Sequence, residues 1–183
     1  MPHVCRPRTA SLPADTSGAA VPSSRAHDGG LLLLRLVLGL AVAAHGAQKL
    51  FGWFGGGGIE GTGQFFAMSG YPSGETMAVI AGLSEVLGGL GLAFGVLTPL
   101  AGAAVLGTMI NAMAVKWGGG FFAPEGVEYE LVLAAGAGAL ALTGPGRIAV
   151  DRFLPLPAHR FGHGVAAVAL GAVLAGLVLL IRN

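Results

Sequence analysis

The sequence predicts an all-α fold, a polytopic transmembrane helical bundle. Three observations carry that prediction. The 183 residues are 54% hydrophobic and only 10% charged, whereas soluble domains carry about 25% charged residues. Mean hydropathy is +0.74. Five apolar stretches of ~17–22 residues then follow one another, each long enough to cross ~30 Å of hydrocarbon as a helix.

Residues 1–29 hold Pro2, Pro7, Pro13 and Pro22 together with Arg6, Arg8, Arg25 and scattered serines. Nothing there is periodic, so a disordered cytoplasmic tail is expected. A signal peptide with Leu31–Leu40 as its core fits poorly, because Arg35 interrupts the apolar run and the leader would be unusually long. The first span runs from Gly30 to Phe51, the second from Met77 to Leu97 and the third from Pro99 to Trp117. The fourth runs from Val127 to Thr143 and the fifth from Val165 to Ile181. Backbone polar groups must be satisfied internally in lipid, which makes these stretches helices, and they are too continuously apolar for barrel strands. Only Thr98-Pro99 separates the second and third spans, which demands a tight antiparallel hairpin with Pro99 opening the third helix. Gly144-Pro145-Gly146 stops the fourth.

Composition excludes disorder, nucleic-acid binding and most soluble enzymes, and a net charge of +1 gives little attraction for polyanions. Cys5 is the single cysteine, so there is no internal disulfide, no dithiol pair and no cysteine zinc site. Small membrane enzymes that pass electrons between dithiols and quinone are thereby ruled out. Gly55–Gly58 lacks the following Gly-Lys-Ser/Thr of a phosphate loop and is read as a flexible turn. Ile59–Tyr71, with Phe65, Phe66 and Met68, is expected to form a short amphipathic segment at the outer interface. Gly91…Gly95 and Gly171…Ala175 are small-xxx-small pairs that can pack helices within one chain or between chains of a homo-oligomer.

Orientation follows from the basic residues. With the N-terminus cytoplasmic, Arg6, Arg8, Arg25, Arg147, Arg152 and Arg160 lie inside, and Lys49, Lys116 and Arg182 outside. The expected topology is therefore N-terminus in and C-terminus out. Phe51, Trp53, Phe54, Trp117 and Tyr129 would form the outer aromatic belt.

Ionisable groups in hydrocarbon are costly, so each is a functional candidate. At 100° per residue, Arg35, Gly39, Val42, Gly46 and Lys49 share one face of the first helix, with His45 at its edge and Gln48 pointing elsewhere. Glu85 is flanked by Gly82, Gly88 and Gly89, which let a neighbouring backbone approach. Asn111 shares a face with Ala104, Gly107 and Thr108. Glu128 and Glu130 lie ~200° apart, so only one can point inward. Counted from the cytoplasmic ends, His45 lies at ~22 Å, Glu85 and Asn111 at ~18 Å, the helix-four glutamate at ~20–23 Å and Arg35 at ~8 Å. Polar groups from four helices thus meet at nearly one level. They build a polar cavity, or they simply pair as structural glue, Glu85 with Lys49 or His45. Arg35 is low enough to snorkel to the surface. His45 has no second histidine within a span, and no metal site is expected.

Arg35-Leu-Val-Leu-Gly39, His45-Gly46-Ala-Gln-Lys49-Leu-Phe-Gly52, Gly82-Leu-Ser-Glu85-Val-Leu-Gly88-Gly89, Glu128-Tyr-Glu-Leu and Gly144-Pro-Gly-Arg147 before Asp151 form an ordered set. It resembles the DoxX family of bacterial membrane proteins. The resemblance covers about residues 30–154 and implies a four-helix DoxX-like core there. Beyond it lie a cytoplasmic linker at 155–164 and a fifth C-terminal transmembrane helix at 165–183. It also implies residence in the bacterial cytoplasmic (inner) membrane and association with membrane oxidoreductase complexes, such as thiosulfate:quinone oxidoreductase. Partners are then the lipid bilayer and redox-complex subunits, and the cofactor to consider is a quinone. The family pattern selects Glu128 over Glu130.

The functional expectation is a quinone-interacting or accessory subunit of a membrane oxidoreductase complex. His45 and Glu85 would exchange protons with a quinone or hydrogen-bond its carbonyl, and Lys49 would stabilise developing negative charge. Asn111 and Glu128 would bind the substrate, while Arg35, Arg147 and Asp151 would be structural. The chain supplies no redox centre, so electrons come from elsewhere. The alternatives are a small-solute or proton transporter and a membrane subunit without chemistry.

Overall fold

The computed structural model describes residues 24–155 and 160–182, and among these there is no strand. Six helices follow in order: α1 (Ser24–Phe51), α2 (Gly58–Met68), α3 (Gly74–Phe94), α4 (Thr98–Lys116), α5 (Glu128–Thr143) and α6 (Phe161–Leu180). Helix α1 begins at Ser24, so residues 24–29, expected as tail, are helical. The Asp28 carboxylate accepts the Arg147 amide at 3.0 Å, which ties that first turn to the rest of the bundle. Expectations for residues 1–23 and 156–159 lie outside the described residues. Helix α6 begins at Phe161, four residues before the expected Val165, because Gly164 lets its backbone settle against Ala141 of α5. The segment read as amphipathic is helix α2, which packs on α3.

Among the described residues four helices are long and apolar enough to cross a membrane: Arg25–Phe51, Gly74–Phe94, Thr98–Gly119 and Phe161–Leu180. Helix α5, the expected fourth span, has only 16 residues, or about 24 Å of rise. It still runs the length of the bundle. Glu130 near its start pairs with Lys116 at the end of α4, and Pro145 just past its end accepts a hydrogen bond from Arg35. Two ends of the molecule are thus defined. Asp28, Arg35, the α3–α4 turn and Asp151 meet at one; Lys116, Glu130 and Arg182 lie toward the other.

Helices α1 and α3 touch along a glycine seam. A Cβ on Gly39 would lie 2.5 Å from the carbonyl oxygen of Gly89, and one on Gly89 would lie 2.5 Å from that of Gly39. One level along, a Cβ on Gly46 would meet the Gly82 oxygen at 2.7 Å. In lipid there is little hydrophobic drive between helices, and such backbone proximity maximises dispersion contact instead. The core beside the seam is built from Leu38, Val42, Leu92, Val105, Met109, Leu133, Ala137 and Leu140. The outward faces are apolar as well, with Leu33, Leu87 and Leu177 more than half exposed. A soluble monomer does not present so much contiguous apolar surface, whereas a bilayer covers it.

The α3–α4 hairpin closes as Thr98-Pro99 requires. Gly95 adopts φ +69, and the amides of Gly95 and Val96 bond back to Leu92 and Gly91 at 3.2 and 2.8 Å, a Schellman closure. Gly95 therefore lies beyond the helix, and Gly91…Gly95 is not a helix-packing pair. Gly171 does pack, against the backbone of Ala103 on α4. Leu97 follows at φ +47, a conformation disfavoured for a branched side chain. Asp151 holds it there: one carboxylate oxygen accepts the Leu97 amide at 2.7 Å, the other the Thr98 amide and hydroxyl, both at 3.1 Å. An acid from a distant segment thus caps the N-terminus of α4.

Arg35 does not snorkel. It is 1% exposed. Its Nε donates to the Leu92 carbonyl at 3.0 Å, one terminal nitrogen donates to Ala93 at 3.2 Å, and the other donates to Pro145. The guanidinium fork matches these converging carbonyls at the end of α3, and a cation there complements the helix dipole. It therefore stays buried at the junction of α1, α3 and the segment after α5.

Candidate ligand site in the polar layer

A cavity of about 640 Å³ opens among α2, α3, α4, α5 and α6. Its wall is mostly apolar, with Phe65, Phe66, Met77, Ile80 and Leu174 among the contributors. Lys49, Tyr71, Glu85, Asn111, Lys116 and Glu130 bring polar atoms to it.

The glycine seam sets the first pair. It brings the Arg35–Lys49 face of α1 against Glu85 on α3, and Lys49 Nζ reaches Glu85 Oε2 at 2.6 Å. The two side chains differ in environment: Glu85 is 2% exposed and Lys49 26%. Lys49 therefore links a buried carboxylate to the outside. The second pair joins α4 to α5, with Lys116 Nζ 2.9 Å from Glu130 Oε1. Glu130 Oε2 is buried and accepts no hydrogen bond from any described residue. A buried, unpartnered carboxylate oxygen is expensive, and its place in a cavity wall suits a hydrogen-bond donor entering from the cavity.

Asn111 stands between two further elements. Its Oδ1 accepts the Tyr71 hydroxyl at 3.1 Å, and its Nδ2 donates to Gly107 at 3.1 Å and to Ala175 of α6 at 3.4 Å. Arg182 holds Tyr71 from the other side. Its Cζ lies 5.7 Å from the ring centroid, and its nitrogens donate to the carbonyls of Ser69 and Ala114 at 2.8 and 3.0 Å. Burial pushes the Tyr71 phenol above its ordinary range, while the adjacent Arg182 charge pulls it partly back.

The structure thus brings Lys49, Glu85 and Asn111 into one cavity, and it corrects two expectations. Glu128 is not in the polar layer: its carboxylate accepts the Ala123 amide of the preceding loop at 3.1 Å. Glu130 occupies the inward position, because it shares the buried face of α5 with Leu133, Ala137 and Leu140. His45 does not line the cavity, being rotated toward α5. Gln48, expected off the polar stripe, does not line the cavity and is bonded to His45 and to the loop after α1. Gln48 Nε2 donates to Phe54 O at 3.3 Å, which leaves Oε1 to accept from His45 Nδ1 at 2.9 Å. In a neutral imidazole, Nε2 then accepts the Tyr129 hydroxyl at 2.8 Å. Arg147 contributes its backbone amide to Asp28 and sits with Asp151 at the opposite end of the bundle. Sequence reasoning missed Lys116, Tyr71 and Arg182 as participants and passed over Glu130 in favour of Glu128. The signal for Glu130 was its spacing of three, seven and ten residues from Leu133, Ala137 and Leu140. Among the described residues no group of three His, Cys, Asp or Glu side chains is placed to hold a metal ion.

A multi-pass helical bundle with apolar outer faces and a buried layer of paired charges defines an integral membrane protein. The chain belongs to the DoxX family: the DoxX family model matches residues 30–117. It is also 36% identical over 126 residues to the Bacillus subtilis (strain 168) protein named "Putative oxidoreductase CatD". That match covers 68% of this chain and 87% of the relative. No solved structure matches the chain.

Proposed function

We propose that the protein is a quinone-interacting or accessory subunit of a membrane oxidoreductase complex. One observation carries the reading: a 640 Å³ mostly apolar cavity lined by two Lys–Glu pairs, one of which holds a buried, unpartnered carboxylate oxygen. A flat apolar ring bearing two carbonyl oxygens fits that chemistry, since small-molecule sites of this size are apolar with a few placed polar groups. The name of the Bacillus subtilis relative supports the redox class.

A bound quinone supplies the capacity to take up two electrons and two protons. The chain's own residues handle the protons and the charge. Lys116 Nζ and Lys49 Nζ are the donors available to a carbonyl oxygen and stabilise negative charge that develops there. Glu130 Oε2 is the free acceptor for a hydroxyl. Lys49, partly exposed and bonded to Glu85, is the group through which protons exchange with the outside. The electrons come from a partner subunit or a soluble reductant. We place the protein in the bacterial cytoplasmic membrane with its N-terminal end inside, on the weight of the arginines gathered at the Arg35 end.

The test is quinone-dependent dye reduction by membranes containing the protein, compared with membranes carrying Glu130→Gln. Loss of the quinone-dependent rate supports the reading. An unchanged rate in the variant, with solute or proton flux abolished instead, replaces it with transport.

A further inference from the structure

At the opposite end from the polar layer a second cavity, of about 860 Å³, lies between α4, α6 and the segment that follows α5. Three features of it point one way. Its rim carries Arg147, Arg152 and His163. Both arginines are exposed, and neither side chain forms an ion pair with a described residue. The one acid in the lining, Asp151, is bonded at both oxygens to Leu97 and Thr98 of the α4 cap and forms no ion pair with Arg147 or Arg152, so its single negative charge is outnumbered by the two arginines. The wall then turns apolar along the α4–α6 groove, through Leu100 and Leu170, both about half exposed on the outer face of the bundle.

We infer that this cavity is a binding site for an anionic phospholipid. The phosphate sits between the Arg147 and Arg152 guanidiniums, whose planar forks suit phosphate oxygens. One acyl chain lies in the α4–α6 groove past Leu100 and Leu170. The apolar groove selects a lipid over free phosphate, which would leave the groove uncovered. The excess of positive charge selects an anionic over a choline headgroup, whose ammonium would stand among arginines. Basic pockets between helices at headgroup level recognise such lipids in general. Leu100 and Leu170 also line the polar-layer cavity, so the lipid chain would end beside the site described above. The assignment does not depend on what that other cavity binds.

Native mass spectrometry of the detergent-solubilised full chain tests the site, with phosphatidylglycerol, phosphatidylcholine and inorganic phosphate as separate probes. Retention of phosphatidylglycerol about tenfold above phosphatidylcholine is expected, with loss of that preference in the double variant Arg147→Gln/Arg152→Gln. Ala166→Phe narrows the exposed groove without changing charge and should weaken phosphatidylglycerol retention to a similar degree. An unchanged unfolding temperature of each lipid-free variant establishes that the fold persists. Equal retention of the two lipids, no response to the double variant, no response to Ala166→Phe, or displacement of phosphatidylglycerol by millimolar phosphate would each overturn the assignment.

Discussion

Lys116 Nζ and Glu130 Oε1 stand 2.9 Å apart across α4 and α5, and the second oxygen of that cavity-lining carboxylate is buried without a hydrogen-bond partner among the described residues. One oxygen anchors the side chain and leaves the other free to receive a hydrogen. Glu130→Gln should keep the helix contact but lose the negative acceptor. Affinity for a short-chain quinol analogue should drop about tenfold or more, the effect of a charged hydrogen bond. Glu128→Gln should leave that affinity unchanged. Titration calorimetry on the purified protein reads both.

The Lys49–Glu85 pair predicts an asymmetry. Lys49→Ala strands a carboxylate that is 2% exposed, and should cost about 3 kcal/mol in detergent unfolding. Glu85→Ala strands a lysine that is 26% exposed and can reach water, and should cost clearly less. The double variant should recover part of the Lys49→Ala loss. Equal losses for the two single variants would mean that the buried carboxylate does not depend on its lysine.

Arg35→Lys retains the charge but cannot reach three carbonyls at once. Destabilisation of about 2 kcal/mol or more is expected, since buried carbonyls of Leu92, Ala93 or Pro145 are left unbonded. Denaturation in mild detergent checks this, with Arg25→Lys as the control.

Gly39→Val places a branched side chain where a single Cβ already meets the Gly89 oxygen at 2.5 Å. Helices α1 and α3 must part, so loss of about 3 kcal/mol or failure to accumulate in membranes is expected. Gly138→Ala, where a Cβ meets nothing within 4 Å, should be tolerated.

Tyr71 and Tyr129 are the two tyrosines of the chain. In a Tyr129→Phe background, ultraviolet titration should place the Tyr71 midpoint above the ordinary value of 10.0, because burial disfavours the phenolate. Adding Arg182→Gln should move it higher, because the arginine charge lowers it. A raised folded-state value gives stability that is present below the unfolded midpoint and fades as pH rises through the folded one.

Much of this molecule was legible because hydrocarbon admits few polar groups. Glu85 among glycines had to face protein, and the stripe of α1 offered Lys49 or His45 as its partner, of which the structure selects Lys49. Thr98-Pro99 left room for nothing but a hairpin. What stayed hidden depends on rotation. Helix α5 is apolar nearly all round, so no amphipathic stripe sets its azimuth, and Glu128 and Glu130 look equivalent until Leu133 and Leu140 pack. His45, at the edge of its stripe, turns out of the cavity to meet Tyr129 of α5. The role of Arg182 rests on contacts to Ser69 and Ala114, more than sixty residues away in sequence, which no local pattern reports.

The crossing of Gly39 and Gly89 leaves no slack between two backbones. The wall that carries Lys49 and Glu85 is therefore a fixed datum, unable to swing without breaking its own van der Waals contact. Any widening of the cavity must then leave that wall in place and come from the elements opposite it.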